Sequence, residues 1–131
     1  MSAEDISKSL LEASSAVTAL VGSRIYLDAR PEADPLPAIV YNLVDENDEL
    51  PVGAVAGQIP TLARMQINCY ATTAAGRKAL VDAVIAAGDR KAGSIAGSTV
   101  NYVLAEKGPT SYSALVATFE QPVDYLIRYL R

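Results

Sequence analysis

TLARMQINCYATTAAGRKALVDAVIAAG, residues 61–88, is the stretch that decides the fold of this chain. Its first half alternates between apolar and polar residues without a fault. The apolar positions are Ala63, Met65, Ile67 and Cys69, and the polar positions are Arg64, Gln66, Asn68 and Tyr70. A period of two residues predicts a strand with one buried face and one solvated face.

A helix is predicted directly after this strand. Thr72 and Thr73 offer hydroxyl groups that can cap the first turn. Apolar residues then recur at helical spacing, and Gly88 stands where a left-handed C-terminal residue is expected. We expect Met65, Ile67 and Cys69 to be buried against four apolar side chains of the predicted helices, namely Leu10, Val17, Leu80 and Val84.

The remaining chain predicts further elements on both sides of this pair. A helix is expected over 3–20, with Ser2 and Asp5 as a capping box, and strands are expected over 24–27, 38–45, 99–105 and 115–129. Pro122 must then stand at an edge, a bulge or a break in the last strand. Residues 46–60 are predicted as a long loop, either an arm that reaches a neighbouring molecule or a β-hairpin extension, and residues 88–98 as a glycine-rich connector.

These elements predict an α+β fold: a mostly antiparallel sheet of four to five strands with two helices packed on one face. The length of 131 residues predicts one domain over 1–131. The N-terminal residues carry no basic region followed by an apolar one, so no secretory signal is predicted, and no apolar run is long enough to predict a membrane span.

Acidic charge is concentrated in one segment. Asp45, Glu46, Asp48 and Glu49 fall within five residues, and the other acidic residues equal the Lys and Arg in number, so this segment carries the whole net charge of −4. A solvated loop is the simplest interpretation. Clustered Lys and Arg, which a nucleic-acid interface needs, are missing.

Candidate catalytic and ligand-binding groups are scarce. The chain has no histidine and one cysteine, so the commonest general base, a thiolate cluster and a Cys–His pair are all missing, and the acidic residues cluster in a segment where a shifted pKa is not expected. Gly53 and Gly57 are not followed by the Gly-Lys-Ser/Thr ending of a phosphate loop, and the acidic run lacks the spacing of a calcium loop. We therefore predict no enzyme activity, no cofactor and no metal site.

Several segments resemble the tail terminator or tail completion proteins of long, non-contractile-tailed phages, prophages and gene transfer agents. ALVGSRIYL (19–27) and LPAIVYNLVD (36–45) are similar to two strand motifs of that family. LARMQINCYA (62–71) resembles its Arg-x-Gln-(Val/Ile)-(Asp/Asn)-x-(Trp/Tyr)-Ala strand, with Asn68 and Tyr70 at the variable positions, and residues 71–87 resemble the helix that follows. The ending YLIRYLR is similar to the family's aromatic and basic ending.

The resemblance implies a structural virion protein of the tail, assembled in the bacterial host cytoplasm. Its subunits are expected to form a ring, typically a hexamer, that caps the head-proximal end of the tail tube, stops tube growth and docks the head. The implied partners are other copies of the chain, the tail tube protein and head-tail connector proteins. DNA passes through the lumen without specific binding, and carboxylates that line such a channel would repel its phosphates.

The candidate subunit-interface or lumen residues are the acidic run and the polar strand face: Asp45, Glu46, Asp48, Glu49, Arg64, Gln66, Asn68 and Tyr70. Other classes of protein remain open at this point. One alternative is a head-tail connector or neck protein, and another is a small non-catalytic ligand-binding or regulatory domain. A hydrolase with an unusual carboxylate site is the third.

Overall fold

The computed structural model describes residues 2–31, 35–49, 53, 55 and 58–131. The helices of this part of the chain are α1 (Ala3–Ala13), α2 (Ser15–Val21) and α3 (Ala74–Gly88). The strands are β1 (Ile25–Leu27), β2 (Ala38–Asp48), β3 (Pro60–Ala71), β4 (Gly93–Ile95), β5 (Ser98–Lys107), β6 (Ser111–Ser113) and β7 (Thr118–Leu130).

The sheet runs in the order β1-β2-β3-β7-β5-β4, and β6 pairs with the start of β7. β1 and β2 are parallel, whereas the other paired strands are antiparallel. The predicted α+β class is confirmed. The predicted element counts were too low, because the described residues form seven strands and three helices in a mixed sheet.

The first predicted helix is two helices. The capping box of α1 is present, since the Ser2 hydroxyl accepts a hydrogen bond from the Asp5 backbone N–H. Ser14 then leaves the helical conformation, and its hydroxyl accepts from the Val17 N–H at the start of α2. A serine that can cap a new helix competes with continuation of the old one, and the apolar spacing alone did not predict this break.

The core lies between the three helices and one face of the sheet. Met65, Ile67 and Cys69 are fully buried there, as predicted. They share one apolar cluster with the four predicted helical partners, Leu10, Val17, Leu80 and Val84. On the neighbouring strand β7, Val123, Tyr125, Ile127 and Tyr129 complete the same face.

Gly88 has a different role from the predicted one. It is the last residue of α3 and is buried, and the left-handed residue after the helix is Arg90, with φ of 60°. A Cβ on Gly88 would lie 2.3 Å from Cζ of Tyr125. Glycine is therefore required here because the Tyr125 ring packs against the helix backbone, where its hydroxyl donates a hydrogen bond to the Val84 carbonyl.

Two short strands were missed by the sequence interpretation. β4 lies in the predicted connector and forms a hairpin with β5, and β6 lies in the predicted turn before β7. β7 runs through Pro122 without a break and pairs there with β3. On its other side Pro122 stands at a local edge, one of its three predicted options, because β6 pairs with β7 before it and β5 pairs after it, while the Pro122 carbonyl accepts a hydrogen bond from the Gly108 N–H. Proline fits because its missing donor falls in the gap between the two partner strands.

Candidate functional site: the open face of the sheet

We call the side of the sheet opposite the helices the open face. Directly paired residues of an antiparallel sheet point to the same side, so the strand registers assign its members. The polar and charged members on the four long strands are Asn42, Asp45, Asn47, Arg64, Gln66, Asn68, Tyr70, Thr99, Tyr102, Glu106, Glu120, Asp124 and Arg128. Leu62, Leu104 and Leu126 also lie there, and Leu104 is 43% exposed.

The amide side chains of the open face form a hydrogen-bonded row across β2 and β3. Gln66 Nε2 donates to Asn68 Oδ1 at 2.9 Å, and Asn68 Nδ2 donates to Asn42 Oδ1 at 3.1 Å. Asn68, which the alternation placed in solvent, is only 8% exposed. The row therefore fixes the orientation of its own amides before any partner binds.

Tyr70 is also partly covered. The Arg30 guanidinium carbon lies 5.7 Å from the centroid of the Tyr70 ring, within the range of a cation–π contact. Burial raises the pKa of Tyr70, and the nearby Glu120 carboxylate acts in the same direction. Arg30, which follows β1, thus covers part of the Tyr70 ring at this end of the open face.

Arg64 lies among carboxylates of its own chain. Its Nη2 is 2.7 Å and its Nε 3.3 Å from Oδ2 of Asp124 on β7. The hydrogen bond that Arg64 donates to Asp124 raises the pKa of Arg64 most, and the charges of Asp45 and Glu106 raise it further. The positive charge of Arg64 therefore neutralises part of the negative charge that these carboxylates place on the open face.

The solvated-loop interpretation of the acidic run was wrong for Glu46 and Asp48, which continue the strand predicted to end at Asp45, whereas Glu49 follows the end of β2. Asp45, Glu46 and Asp48 belong to β2 and pair with β3. The register shifts between Leu43 and Asp45, which is the mark of a bulge, and the extra residue changes which side chains face the helices. Much of the remaining predicted loop, including residues 50–52, 54 and 56–57, lies outside the described residues.

The bulge divides the acidic run between the two faces. Asp45 lies opposite Arg64 on the open face, whereas Glu46 lies on the helix side and accepts a hydrogen bond from the Tyr129 hydroxyl. Burial and this hydrogen bond raise the pKa of Tyr129. The eight candidate residues are therefore not brought together in one site.

Two of the acidic residues contact arginines near the C-terminus. Asp48 accepts hydrogen bonds from Thr61 Oγ1, at 3.0 Å, and from Arg131 Nε, at 3.1 Å. Glu49 accepts one from Arg128 Nη2 at 3.1 Å. The sequence held a partial signal for these contacts in the acidic run and the basic ending, but only the strand registers bring the two together.

The open face as a whole is net acidic. Among the described residues it carries five carboxylates, Asp45, Glu49, Glu106, Glu120 and Asp124, against the three guanidinium groups of Arg30, Arg64 and Arg128. Glu106 and Asp124 are directly opposite each other on β5 and β7, an arrangement of like charges that costs stability. Arg64, between Asp45 and Asp124, relieves part of that cost.

The same residues bear on two further kinds of site, a metal centre and a reactive thiol. No group of three or more His, Cys, Asp or Glu in the described part of the chain is arranged to hold a metal ion. Cys69 is buried, and burial raises the pKa of its thiol to about 12. None of the helices described is both long and apolar enough to cross a membrane.

The fold has a counterpart among solved structures. A chain of the structure described as "Virion of native gene transfer agent (GTA) particle" superposes with a TM-score of 0.72 and 16% sequence identity. The match covers 95% of this chain and 92% of that one. At this identity the likeness shows the fold alone, and no curated protein sequence matches the chain.

The family is shown by sequence. The profile described as "Tail completion protein gp17" matches residues 9–129. This range includes α2, α3, the strands of the sheet and the whole polar row of the open face. The chain therefore belongs to the tail completion protein gp17 family, and it is a structural protein of the virion tail.

Proposed function

We propose that this protein assembles into a ring, a hexamer as the resemblance implies, that caps the head-proximal end of the tail tube. The ring stops tube growth and gives the head, through its connector proteins, a surface on which to dock. The observation that carries this proposal is the family match over residues 9–129. Catalysis has no part in the proposed function.

The open face is the surface that we assign to the lumen of the ring. It carries more carboxylates than guanidinium groups, and its amides are already bonded to one another. A surface of fixed, net negative and mostly polar groups repels phosphates and leaves few donors for them. These properties suit a channel through which DNA moves without specific binding.

Only part of the acidic run faces the surface that we assign to the lumen. The alternative location for its carboxylates is a subunit interface, where they would pair with Arg64, Arg77 or Lys78 of a neighbouring subunit. Arg64 is bonded to Asp124, and Arg77 donates a hydrogen bond to Gln121 of its own chain. These contacts favour the lumen assignment for Asp45, whereas Asp48 and Glu49 are held by arginines of the same subunit.

Growth of the tail tube tests the proposed function. Purified tube protein is polymerised with and without this protein, and tube lengths are measured by electron microscopy. A terminator shortens the tubes and leaves a cap at one end, and its effect saturates at one ring per tube. Tube lengths that do not respond would contradict the proposal, and binding to connector proteins without any effect on tubes would favour the neck-protein alternative.

A further inference from the structure

The second half of β2 forms an open edge of the sheet. β1 pairs with the first half alone, from Ile39 to Tyr41. Among the described residues, the last backbone bond on this side of β2 is the one that the Asp28 N–H donates to the Tyr41 carbonyl, at 2.9 Å. Residues 44–49 beyond it are all exposed. An uncovered edge of this kind offers its backbone groups to a further strand.

The pairing of β2 with β3 shows which of these backbone groups are open. The Glu49 N–H donates to the Pro60 carbonyl at 2.7 Å, so alternate residues of β2, counted back from Glu49, direct their backbone groups towards β3. Glu46 and Asp48 therefore direct their N–H and C=O away from the sheet. In the part of the chain that the structure describes, no strand pairs with this side of either residue. We call residues 44–48 the β2 edge.

The opposite side of the sheet ends in β4, which is also an open edge. Ile95 and Ser98 close the β4–β5 hairpin, so the backbone groups of Ile95 and Gly93 are directed towards β5. Ser94 lies between them and therefore directs its N–H and C=O outwards. Residues 92–94 are exposed, and we call them the β4 edge.

The edge of β5 beyond β4 is covered by the chain's own residues. The Arg90 N–H donates to the Val103 carbonyl at 2.7 Å, and the Val103 N–H donates to the Lys91 carbonyl at 3.0 Å. The Ala105 N–H donates to Oδ1 of Asp89 at 3.1 Å. A strand that joins the sheet on this side therefore meets the β4 edge.

The two edges have the same direction and lie at the same end of the sheet. Consecutive strands in the order β2-β3-β7-β5-β4 are antiparallel, so β2 and β4 run in the same direction. Paired residues lead across the sheet from Asp48 through Thr61, Tyr129 and Val100 to Gly93. A second copy placed beside the first by rotation therefore brings its β2 edge next to the β4 edge as a parallel strand.

One register satisfies both the backbone groups and the faces. In a parallel pair, a residue bonds to the two residues that flank the one opposite to it. Ser94 placed opposite Asn47 would donate its N–H to the Glu46 carbonyl and accept from the Asp48 N–H. Ser94 and Asn47 both lie on the open face of their own sheets, so the two faces continue without interruption.

Charge favours the β4 edge as the partner of the β2 edge. Lys91 and Glu46 both lie on the helix side of the sheet and are exposed. In this register Glu46 lies opposite Gly93, so the Lys91 ammonium is its diagonal neighbour and carries the opposite charge. Two copies of the β2 edge would instead place carboxylates against carboxylates, which opposes their pairing.

We propose that the β2 edge of one subunit pairs with the β4 edge of the next, so that one sheet continues from subunit to subunit. The proposal rests on the ring of the proposed function and names the contact that joins it. A contact between two different surfaces of the same chain closes into a ring when its rotation completes a full turn. The open faces of all subunits then form one continuous inner wall, with the helices outside.

Cross-linking tests the register in subunits assembled on purified tail tubes. Asn47 and Ser94 are exposed, so a cysteine at either position is compatible with the fold. A chain with both Asn47→Cys and Ser94→Cys, treated with a short bifunctional maleimide, should give a ladder of covalent oligomers. Either single variant should give none, and neither should a control chain with Ser94→Cys and the exposed Ser111→Cys. Cys69 does not interfere, because it is buried and burial raises the pKa of its thiol to about 12.

A charge swap tests the partner. Lys91→Glu and Glu46→Lys should each lower subunit association at least about tenfold at low salt, because each places like charges across the contact. A chain with both substitutions again has opposite charges there and should regain the lost association. This restoration separates the contact from any effect of Glu46→Lys on the hydrogen bond with Tyr129. Lys107→Glu and Glu12→Lys, at exposed positions away from both edges, change the net charge equally and should associate like the wild type.

The outcomes separate this contact from the ring itself. A ladder from the paired cysteines, together with restoration by the charge swap, supports the edge pairing. Rings that form on tubes but give no ladder, or a loss of association that the charge swap does not restore, would overturn the edge pairing and leave the proposed function standing. Absence of rings for the wild-type protein on tubes would overturn both.

Discussion

Arg64 Nη2 lies 2.7 Å from Asp124 Oδ2, so a residue predicted to make contacts between subunits is engaged within its own sheet. The pair joins β3 to β7 and is partly exposed, which limits its contribution to stability to about 1 kcal/mol or less. Its larger effect is on the electrostatic potential of the open face, where one guanidinium group stands among Asp45, Glu106 and Asp124. The open face is therefore net acidic, and several of its polar side chains are held in place by hydrogen bonds to one another.

The core prediction concerns Ile67, which is fully buried on β3. Ile67→Ala should lower the free energy of unfolding by roughly 2–5 kcal/mol, because it removes buried methyl groups and leaves a cavity. Urea denaturation measures the change. Leu104→Ala, at a 43% exposed position of the open face, is the control and should cost much less. A similar small loss at both positions would show that the two faces of the sheet are wrongly assigned.

Gly88 offers a test of close packing. Gly88→Ala should destabilise the protein by about 1–3 kcal/mol, since the new methyl group would overlap the Tyr125 ring. In a background of Tyr125→Ala the same substitution should cost less, because the ring is gone. Thermal unfolding of the four variants of this cycle measures the coupling. Equal costs in both backgrounds would contradict the proposed reason for the glycine.

Acid unfolding should report the Asp48–Arg131 contact. The hydrogen bond from Arg131 holds the pKa of Asp48 below its ordinary value of 3.8. A carboxyl group with a lowered folded-state pKa stabilises the protein fully above its ordinary pKa, and this contribution is lost as the pH falls through the folded-state pKa. Asp48→Asn should therefore lower the urea midpoint at about pH 6 and have a shrinking effect below about pH 4. If Asp48→Asn lowers the urea midpoint equally at all pH values, its effect comes from packing and not from the charge of Asp48.

DNA retention tests the assignment of the open face to the lumen. Rings with Asp45→Asn, Glu106→Gln and Glu120→Gln should assemble normally and retain more DNA at low salt than wild-type rings. The difference should fade near 0.1 M salt, where screening acts over about 10 Å. Glu4→Gln, Glu12→Gln and Asp82→Asn give the control, because they change the net charge equally without altering the open face. Equal retention by both triple variants would place the lumen elsewhere.

The sequence was most informative where one period governs a whole element. The alternation of residues 63–70 predicted the buried face of β3, and Thr73 does cap α3 through its hydroxyl, which accepts from the Gly76 N–H at 2.9 Å. Such patterns predict structure well because whether each residue is buried or exposed follows from the periodicity of its neighbours in the chain.

The errors arose where distant residues decide the structure. β2 continues past the bulge at Val44 because β3 pairs with it, and the bulge interrupts the alternation that would have shown this. β4 and β6 have three residues each and exist because longer strands offer them an edge. The sequence also did not predict the partners of the acidic run, because Arg128 and Arg131 are about 80 residues away in the chain but adjacent in the sheet.

The central claim is that copies of this protein form a ring on the end of the tail tube. Native mass measurement and electron microscopy of purified tubes incubated with the protein test it most directly, and the tubes must be present because assembly can require them. We expect one multi-copy ring, most simply of six subunits, at a single end of each tube. A protein that stays monomeric in the presence of tubes, or that binds along their length, would contradict the account.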